Sequence, residues 1–269
     1  MANADTVFSG AIAQIYERHF GPPLFGPYAV DIAKRLNGFL SGTLLEIAAG
    51  TGIVTATLAQ SLPATVRITA SDLNQPMLDI AATKPGLERV TWRQADAMSL
   101  PFDDAAFDVV VCQFGVMFFP DRSRAHAEVR RVLKPDGRFI FNVWDSLPNN
   151  PVFETVQRAV ANLYPEKPPG FISRTPCGYH DPDTIRRDLR TAGFQDCRVE
   201  LVTKTWNASS PRDPAIAFCQ GSPMLQEIMT VDPSGPGQAI DAVVAAIAAH
   251  HPEVPPAFQT QALVVETRR

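Results

Sequence analysis

The chain has 269 residues, of which 45% are hydrophobic and 19% charged, a composition typical of one globular domain that carries an insertion. The formal net charge of −4 gives no electrostatic footprint for nucleic acid, so we expect no such partner. The four cysteines form no CxxC pair and have no histidine at zinc-site spacing, which indicates reduced thiols and no metal site.

Residues 1–40 precede the first predicted strand and are expected to form a helical lid. They lack the basic and apolar regions of a signal peptide, and no apolar run reaches the roughly 18 residues of a membrane span, so we predict a cytoplasmic protein. Helices are predicted over Ala11–His19 and residues 27–40, with a break at the glycine and two prolines between them. Four ring side chains belong to this segment: Tyr16, His19, Phe25 and Tyr28.

The stretch 44–58, LLEIAAGTGIVTATL, predicts a strand that ends near Glu46, a tight turn and a helix. The turn consists of small residues: Ala48, Ala49, Gly50, Thr51 and Gly52. Small residues let the backbone approach a ligand closely, and the helix that follows presents unpaired N–H groups. Because ligands bind at the carboxyl ends of strands in open α/β sheets, we expect one here; a turn without a ligand is the alternative.

The next predicted strand, residues 66–70, leads to Asp72 and Leu73. Asp72 lies 20 residues beyond Gly52, the spacing at which a carboxylate meets ribose hydroxyls in a nucleotide-binding α/β fold. A helix N-cap is the other interpretation of Asp72. Met77, inside the following helix, is expected either to pack on an adenine or to belong to the core.

A third predicted strand, residues 90–94, is followed by Asp96 and Ala97. The carboxylate of Asp96 can accept the amine of an adenine, and the N–H of Ala97 can donate to a ring nitrogen. Acids therefore follow three consecutive predicted strands, which favours a nucleotide-type cofactor.

The residues around Glu46 help to identify that cofactor. A dinucleotide fingerprint needs a third small residue where the chain has Thr55, whereas the order acid, x, Ala, x, Gly, x, Gly resembles motif I of the class I S-adenosylmethionine-dependent methyltransferases. The acid would complement the ammonium and sulfonium of S-adenosylmethionine. Many members have glycine where this chain has Ala48, whose methyl group we expect to be tolerated at negative φ.

The text QADAMSLPFDDAAFDVVVCQFGVMFFPD resembles the small-molecule subgroup of that family, including the ubiquinone-biosynthesis type. The apolar run Phe107–Gln113 predicts a central strand buried on both faces. The resemblance places its tip, Gln113 and Phe114, beside the methionine portion of the cofactor and residues 116–119 on the substrate side. The Asn/Asp-Pro-Pro-aromatic motif of nucleic-acid amine methyltransferases is absent at this tip, which argues against that activity.

The remaining chain predicts helices and three more strands. A charged helix over residues 122–133, on which we expect His126 to be solvated, ends at a turn before a strand over 138–144. A proline-rich region follows, with a helix over Pro151–Leu163 and another over 183–192 that Asp181 or Asp183 would cap. Strands over 197–205 and 261–269 flank a mostly helical segment, 211–256, which we expect to supply part of the substrate pocket or the surface of a homodimer.

The resemblance implies an α/β fold with a Rossmann-like, doubly wound seven-stranded sheet in the order 3-2-1-4-5-7-6, the last strand antiparallel, with an N-terminal helical lid and helical insertions. We expect three parts: the lid at 1–40, a cofactor-binding core at 41–145, and the rest of the sheet with a substrate cap at 146–269. N-terminal helices of the resembling family often cover the cofactor and part of the substrate pocket, which makes the four rings of the lid, Tyr16, His19, Phe25 and Tyr28, candidates for a pocket wall; the core of the lid is the alternative. The predicted cofactor set is Glu46, Ala48, Gly50, Thr51, Gly52, Asp72, Leu73, Met77, Asp96, Ala97, Gln113 and Phe114.

The predicted reaction is in-line methyl transfer from S-adenosylmethionine to a small, fairly apolar acceptor. A base is needed only if the acceptor must lose a proton, and His180 and then Tyr16 are the candidates, each also open to a structural role. Two alternatives are a non-catalytic S-adenosylmethionine-binding module and an NAD-dependent oxidoreductase, although the latter leaves Glu46 and Asp96 unexplained.

Overall fold

One seven-stranded sheet organises the molecule, which we describe from a computed structural model over residues 11–253 and 255–269. The strands are β1 Gly42–Ile47, β2 Val66–Asp72, β3 Thr91–Gln94, β4 Phe107–Gln113, β5 Leu133–Trp144, β6 Cys197–Asn207 and β7 Ala257–Arg268. Their order is β3-β2-β1-β4-β5-β7-β6; β1 to β5 pair in parallel, and β7 is antiparallel to β5 and β6. This confirms the predicted fold and strand order.

Eleven α-helices are found in the described ranges, and most pack on the two faces of the sheet. They are α1 Ala11–His19, α2 Gly26–Arg35, α3 Ile53–Ser61, α4 Gln75–Ala82, α5 Arg122–Val132, α6 Pro151–Leu163, α7 Phe171–Arg174, α8 Pro182–Thr191, α9 Arg212–Gln220, α10 Met224–Val231 and α11 Pro236–His250. The helices α1 and α6 have their predicted bounds. The side chain of Asp181 caps α8 by accepting the N–H groups of Asp183 and Thr184.

The predicted break between the first two helices is a single π-helical turn, Gly21–Phe25, that joins α1 to α2. The N–H of Phe25 donates to the carbonyl of Phe20, a five-residue step that lets the chain continue although its two prolines have no N–H to donate. The helix α2 ends at Arg35 rather than near residue 40, and Gly38 follows in a left-handed conformation with φ +89°. Residues 1–10, the start of the predicted lid, lie outside the described ranges.

The predicted turn at residues 134–137 forms a bulge within β5 instead of preceding the strand. Phe107 pairs with Leu133 and Val109 pairs with Arg138, so the four residues between have no partner in β4. The ammonium of Lys134 lies 2.8 Å from the carboxylate of Asp108 and fastens the bulge to β4. The apolar part of β5 still ends at Trp144, which lines a cavity.

The expectation that His126 is solvated is wrong. The side chain is 1% exposed and packs between α5 and the sheet, with its ring 5.9 Å from that of Phe139 and 5.6 Å from that of Phe141. Neither ring nitrogen has a hydrogen-bond partner among the described residues. Burial lowers the pKa of His126 to about 4, so the ring is neutral near pH 7.

The described helices include none with the length and apolar character that a bilayer crossing requires.

Candidate active site

A cavity of about 380 Å³ opens at the carboxyl ends of β1, β2, β3 and β4. Its polar wall comes from the strand ends and consists of Ser71, Asp72, Asn74, Asp96 and Gln113. Its aromatic wall comes from the lid, the ends of β4 and β5, and the later helices, and consists of Tyr16, Phe20, Phe25, Phe114, Phe118, Phe119, Trp144, Phe153, Phe171 and Phe218. One side of the cavity therefore suits a polar ligand and the other suits apolar rings.

The turn after β1 contributes backbone and very small side chains to this cavity. Ala48 and Gly50 line it, and both have positive φ, +52° and +55°. Ala48 therefore does not meet the condition of a negative φ under which its methyl group is expected to be tolerated: the chain turns from β1 toward α3 so tightly that even an alanine is left-handed there. Gly52, with φ +79°, is the N-cap residue just before α3, and a Cβ there would lie 2.9 Å from the Cβ of Ala81.

Asp72 stands between this turn and the end of β2. Its carboxylate accepts the N–H of Gly50 at 2.8 Å through one oxygen and the N–H of Asn74 at 2.8 Å through the other. The side chain is 7% exposed, and burial raises the pKa of Asp72, whereas the two N–H donors lower it. Oδ1 also accepts the side-chain amide of Asn74 at 3.4 Å, whereas Oδ2 accepts only from Gly50, so the carboxylate can still accept from a ligand in the cavity.

The other residues predicted around β2 and β3 come together on the same wall. Leu73, Met77, Asp96 and Ala97 all line the cavity, and Asp96 accepts the N–H of Met98 at 2.9 Å. Parallel pairing of β1, β2 and β3 explains this result, since it brings their carboxyl ends to one edge of the sheet.

Glu46 lies behind the cavity wall rather than on it. Its side chain is 1% exposed, and the hydroxyl of Thr55 donates to its carboxyl group at 2.6 Å. Burial is the main cause that raises the pKa of Glu46 to about 8. Like Glu46, Thr51 and Gly52 are not among the described residues that line the cavity, so these three shape the turn from behind.

The end of β4 connects the sheet to the lid. The amide nitrogen of Gln113 donates to the carbonyl of Phe25 at 3.2 Å. Phe114 has φ +52°, and its N–H donates to the side chain of Asn142 at 2.8 Å. Its ring stacks on that of Trp144, with 3.8 Å between centroids and 9° between planes. Both predicted residues, Gln113 and Phe114, therefore line the cavity where its polar and aromatic walls meet.

Six of the lining rings form what we call the aromatic cluster: Phe20, Phe25, Phe114, Trp144, Phe153 and Phe218. Each ring contacts the next, and the series closes on itself, with centroid distances of 5.7, 5.7, 3.8, 5.0, 5.1 and 4.9 Å. The sequence did not single out Phe20, Trp144, Phe153 or Phe218, because they lie on four separate elements that only the tertiary fold brings together.

The two candidate bases occupy different places. Tyr16 lines the cavity, and burial and the nearby Asp72 raise the pKa of its phenol. His180 is not one of the described lining residues; its Nδ1 lies 2.8 Å from the carbonyl oxygen of Cys177. Of the other lid candidates, Phe25 lines the cavity, the His19 ring lies 3.4 Å from the carboxylate of Asp213, and the Tyr28 hydroxyl donates to the Thr260 carbonyl at 2.8 Å.

Residues 116–119 divide between the cavity and the core. Phe118 and Phe119 line the cavity, whereas Val116 and Met117 are 0% and 2% exposed and lie behind it. The short 3₁₀ turn Val116–Phe118 produces this division, since successive side chains of such a turn point in different directions.

The strand order and the polar wall fit a class I methyltransferase domain. Residues 45–141 match a family model described as a methyltransferase domain. Over 176 residues the chain is 33% identical to the ubiquinone/menaquinone biosynthesis C-methyltransferase of Citrifermentans bemidjiense, an alignment that covers 61% of this chain and 74% of that relative. The chain belongs to the class I S-adenosylmethionine-dependent methyltransferases, in the family of these ubiquinone- and menaquinone-type enzymes.

Two further similarities define how far this relationship extends. The chain is 35% identical to the demethylmenaquinone methyltransferase of Lactobacillus johnsonii over 136 residues, which are 49% of this chain and 55% of that relative, so it spans about half the length of that relative. Phosphoethanolamine N-methyltransferase 2 of Haemonchus contortus superposes with a TM-score of 0.60 at 18% identity, over 95% of this chain and 56% of that one. This second similarity concerns the fold alone.

Proposed function

We propose that the protein transfers the methyl group of S-adenosylmethionine to a ring carbon of a small, apolar hydroquinone. The aromatic cluster is the observation that carries this proposal, because it lies beside the ends of β4 and β5 and next to the polar wall. Aromatic faces bury large apolar areas and favour stacked or edge-on contact with another ring. The relatives named above supply the quinone as the class of acceptor and carbon as the acceptor atom.

The polar wall fits S-adenosylmethionine. We propose that Asp72 accepts from the ribose hydroxyls, that Asp96 accepts from the adenine amine and that the N–H of Ala97 donates to an adenine nitrogen. Leu73 and Met77 would pack on the adenine. The left-handed Gly50 has only the Met77 methyl group, at 3.6 Å, near the place of a side chain, so the turn leaves room for a ligand against its backbone. Ala48, Gln113 and Phe114 would surround the methionine portion.

We propose an indirect role for Glu46. Since its carboxyl group is buried and holds Thr55 of α3, it fixes the angle between β1 and α3 and thereby the position of Ala48 and Gly50. Thr51 and Gly52 would contribute to the same turn without contacting the cofactor through side chains.

When bound, the cofactor supplies a methyl group on a sulfonium, ready for in-line transfer. The protein aligns the acceptor: the aromatic cluster holds the ring, and the lid residues Phe20 and Phe25 help to exclude water. Such alignment is worth about 7–11 kcal/mol of the barrier. Because its pKa is raised, Tyr16 stays protonated near pH 7 and can donate a hydrogen bond but not accept a proton. His180 is not among the described residues that line the cavity, so we assign the role of base to neither residue. Transfer of the methyl group releases S-adenosylhomocysteine, and the proton that the ring carbon loses passes to solvent.

Calorimetric titration with S-adenosylhomocysteine tests the cofactor, and transfer of labelled methyl groups to a prenylated 1,4-naphthohydroquinone tests the reaction. We expect micromolar binding that Asp72→Ala weakens, no signal with NAD, and labelled product. A protein that does not bind S-adenosylhomocysteine, or that binds NAD, would overturn the cofactor assignment. Binding without transfer to any hydroquinone would favour the non-catalytic binding module.

We further propose, from the sequence, a cytoplasmic location, no nucleic-acid partner, a homodimer surface on residues 211–256 and a division into three parts at residues 40 and 145. Light scattering after gel filtration tests the homodimer, and a mobility-shift assay tests nucleic-acid binding.

A further inference from the structure

The single-turn helix α7 forms one wall of the cavity. Phe171, its first residue, is 2% exposed and lines the cavity with its ring 6.3 Å from that of Phe118. Pro176, which follows the helix, lines the same cavity. The position of α7 therefore sets one limit on the size of a ligand beside the aromatic cluster.

Side chains from two other helices hold the start of α7. Glu227 of α10 accepts two N–H groups through one oxygen, at 2.8 and 3.0 Å, and Gln157 of α6 accepts two more at 3.1 and 3.4 Å. The four donors are Gly170, Phe171, Ile172 and Ser173. The first N–H groups of a helix have no partner within it, and one turn is too short to be stable alone. The placement of α7 thus depends on these two side chains.

Glu227 is the stronger of the two acceptors. Its second oxygen lies 2.6 Å from the guanidinium of Arg174, the last residue of α7, so the one carboxylate contacts both ends of the helix. A carboxylate makes stronger hydrogen bonds to N–H donors than a neutral amide does. Glu227 itself is not among the described residues that line the cavity.

We propose that Glu227 is a positioning residue, which holds Phe171 in place and thereby determines which acceptors fit beside the aromatic cluster. The inference rests on the proposed function for the nature of the acceptor. Its contacts are separate from the residues proposed to bind the cofactor, so loss of Glu227 affects the acceptor and spares the cofactor.

The test compares E227A and E227Q with D241A as a matched control. Asp241 is an exposed carboxylate on α11 that pairs with Arg212 at 3.2 Å and is outside the described cavity lining. With S-adenosylhomocysteine present, 1,4-naphthoquinone binding is followed by quenching of tryptophan fluorescence. The KM and kcat for bare and prenylated naphthohydroquinones are measured in parallel.

We expect E227A to weaken naphthoquinone binding and raise the acceptor KM by about tenfold, since two partly buried N–H groups lose their acceptor. The ratio of KM values between the bare and prenylated acceptors should change, while kcat and the Kd of S-adenosylhomocysteine stay the same. E227Q keeps an oxygen acceptor, so its naphthoquinone affinity should fall, and its acceptor KM rise, by only about threefold. D241A should behave as the wild type.

Unchanged naphthoquinone binding in E227A would overturn the proposal, as would an equal loss of S-adenosylhomocysteine binding, which indicates general damage. If E227A does not fold, E227Q alone decides by the same two titrations. A wild-type protein that binds naphthoquinone but methylates no hydroquinone would overturn the proposed function, while the difference in binding between the wild type and E227A would still decide the role of Glu227.

Discussion

Ala48 and Gly115 approach each other so closely that only one of them can carry a side chain. A Cβ on Gly115 would lie 2.5 Å from the Cβ of Ala48, far inside van der Waals contact. Gly115 has φ −102°, which any residue can adopt, so closeness rather than backbone conformation requires glycine there. The glycine lets β1 and β4 end side by side at the cavity, although Ala48 carries the roughly 1–2 kcal/mol cost of a left-handed alanine.

Gly115→Ala should lower the free energy of unfolding by about 2 kcal/mol, because the new methyl group would overlap both Ala48 and, at 2.7 Å, the sulfur of Cys112. Binding of S-adenosylhomocysteine should weaken as well, since the strand ends must separate. Urea unfolding and calorimetric titration measure the two effects. The double variant with Ala48→Gly should recover part of the loss; a double variant no better than the single one would contradict this account.

Glu46 makes the free energy of unfolding depend on pH at values above the ordinary pKa of a glutamate. Its pKa is raised to about 8 in the folded protein, against 4.5 as its ordinary value, so between these pH values the folded chain holds a proton that the unfolded chain releases. Stability should therefore fall as pH rises from 4.5 to 8, by at most about 1.4 kcal/mol per pH unit.

Glu46→Gln should remove this dependence while its amide oxygen still accepts from Thr55. In urea unfolding of the ligand-free protein, the variant should have the same free energy of unfolding as the wild type near pH 5 and a higher one at pH 8. If the free energies of unfolding of the two proteins changed with pH in the same way across this range, Glu46 would have an ordinary pKa and this account would be wrong.

His126 makes the free energy of unfolding fall as the pH is lowered. Its pKa is lowered to about 4 from 6.5, so between these values the unfolded chain binds a proton that the folded chain does not, and stability is lost as pH falls from 6.5 to 4. His126→Leu should reduce that loss by about 1.4 kcal/mol per pH unit at most. Urea unfolding at pH 7 and pH 5 measures it, with the exposed His250→Leu as a control that should change neither value.

Substitutions in the aromatic cluster should weaken binding of the acceptor and leave binding of the cofactor unchanged. Phe153→Leu removes edge contacts with the rings of Trp144 and Phe218 and should raise the acceptor KM by about fivefold. The Kd of S-adenosylhomocysteine, measured by calorimetry, should stay the same. The same substitution at Phe139, which is fully buried and outside the described lining, should reduce stability without this effect on KM. Equal KM values for Phe153→Leu and the wild type would remove the cluster from acceptor binding.

The sequence predicts the polar wall well because the relevant signals are local. An apolar run followed by small residues predicts the turn after β1, and parallel pairing then brings Asp72 and Asp96 to the same edge. The burial of Glu46 was not predictable in the same way, since one residue along a strand separates a side chain at the cavity from one behind it.

The charged residues around His126 led to the wrong prediction that its side chain is exposed. Arginines and a glutamate near it in α5 suggest a solvated helix, but His126 precedes Val129 by three residues and so shares its apolar stripe. The aromatic cluster has no such local signal, because docking of the π-helical turn, α6 and α9 onto the sheet is needed to bring its rings together.

Of the six rings in the aromatic cluster, only Phe114 comes from the stretch of chain that also carries the turn, Asp72 and Asp96. The other five come from the π-helical turn and the residue before it, the last residue of β5, α6 and α9. Substitutions in those outer segments can change which acceptor binds without disturbing the strand ends. Within such a fold, evolution can therefore replace one substrate by another while the methyl donor stays the same.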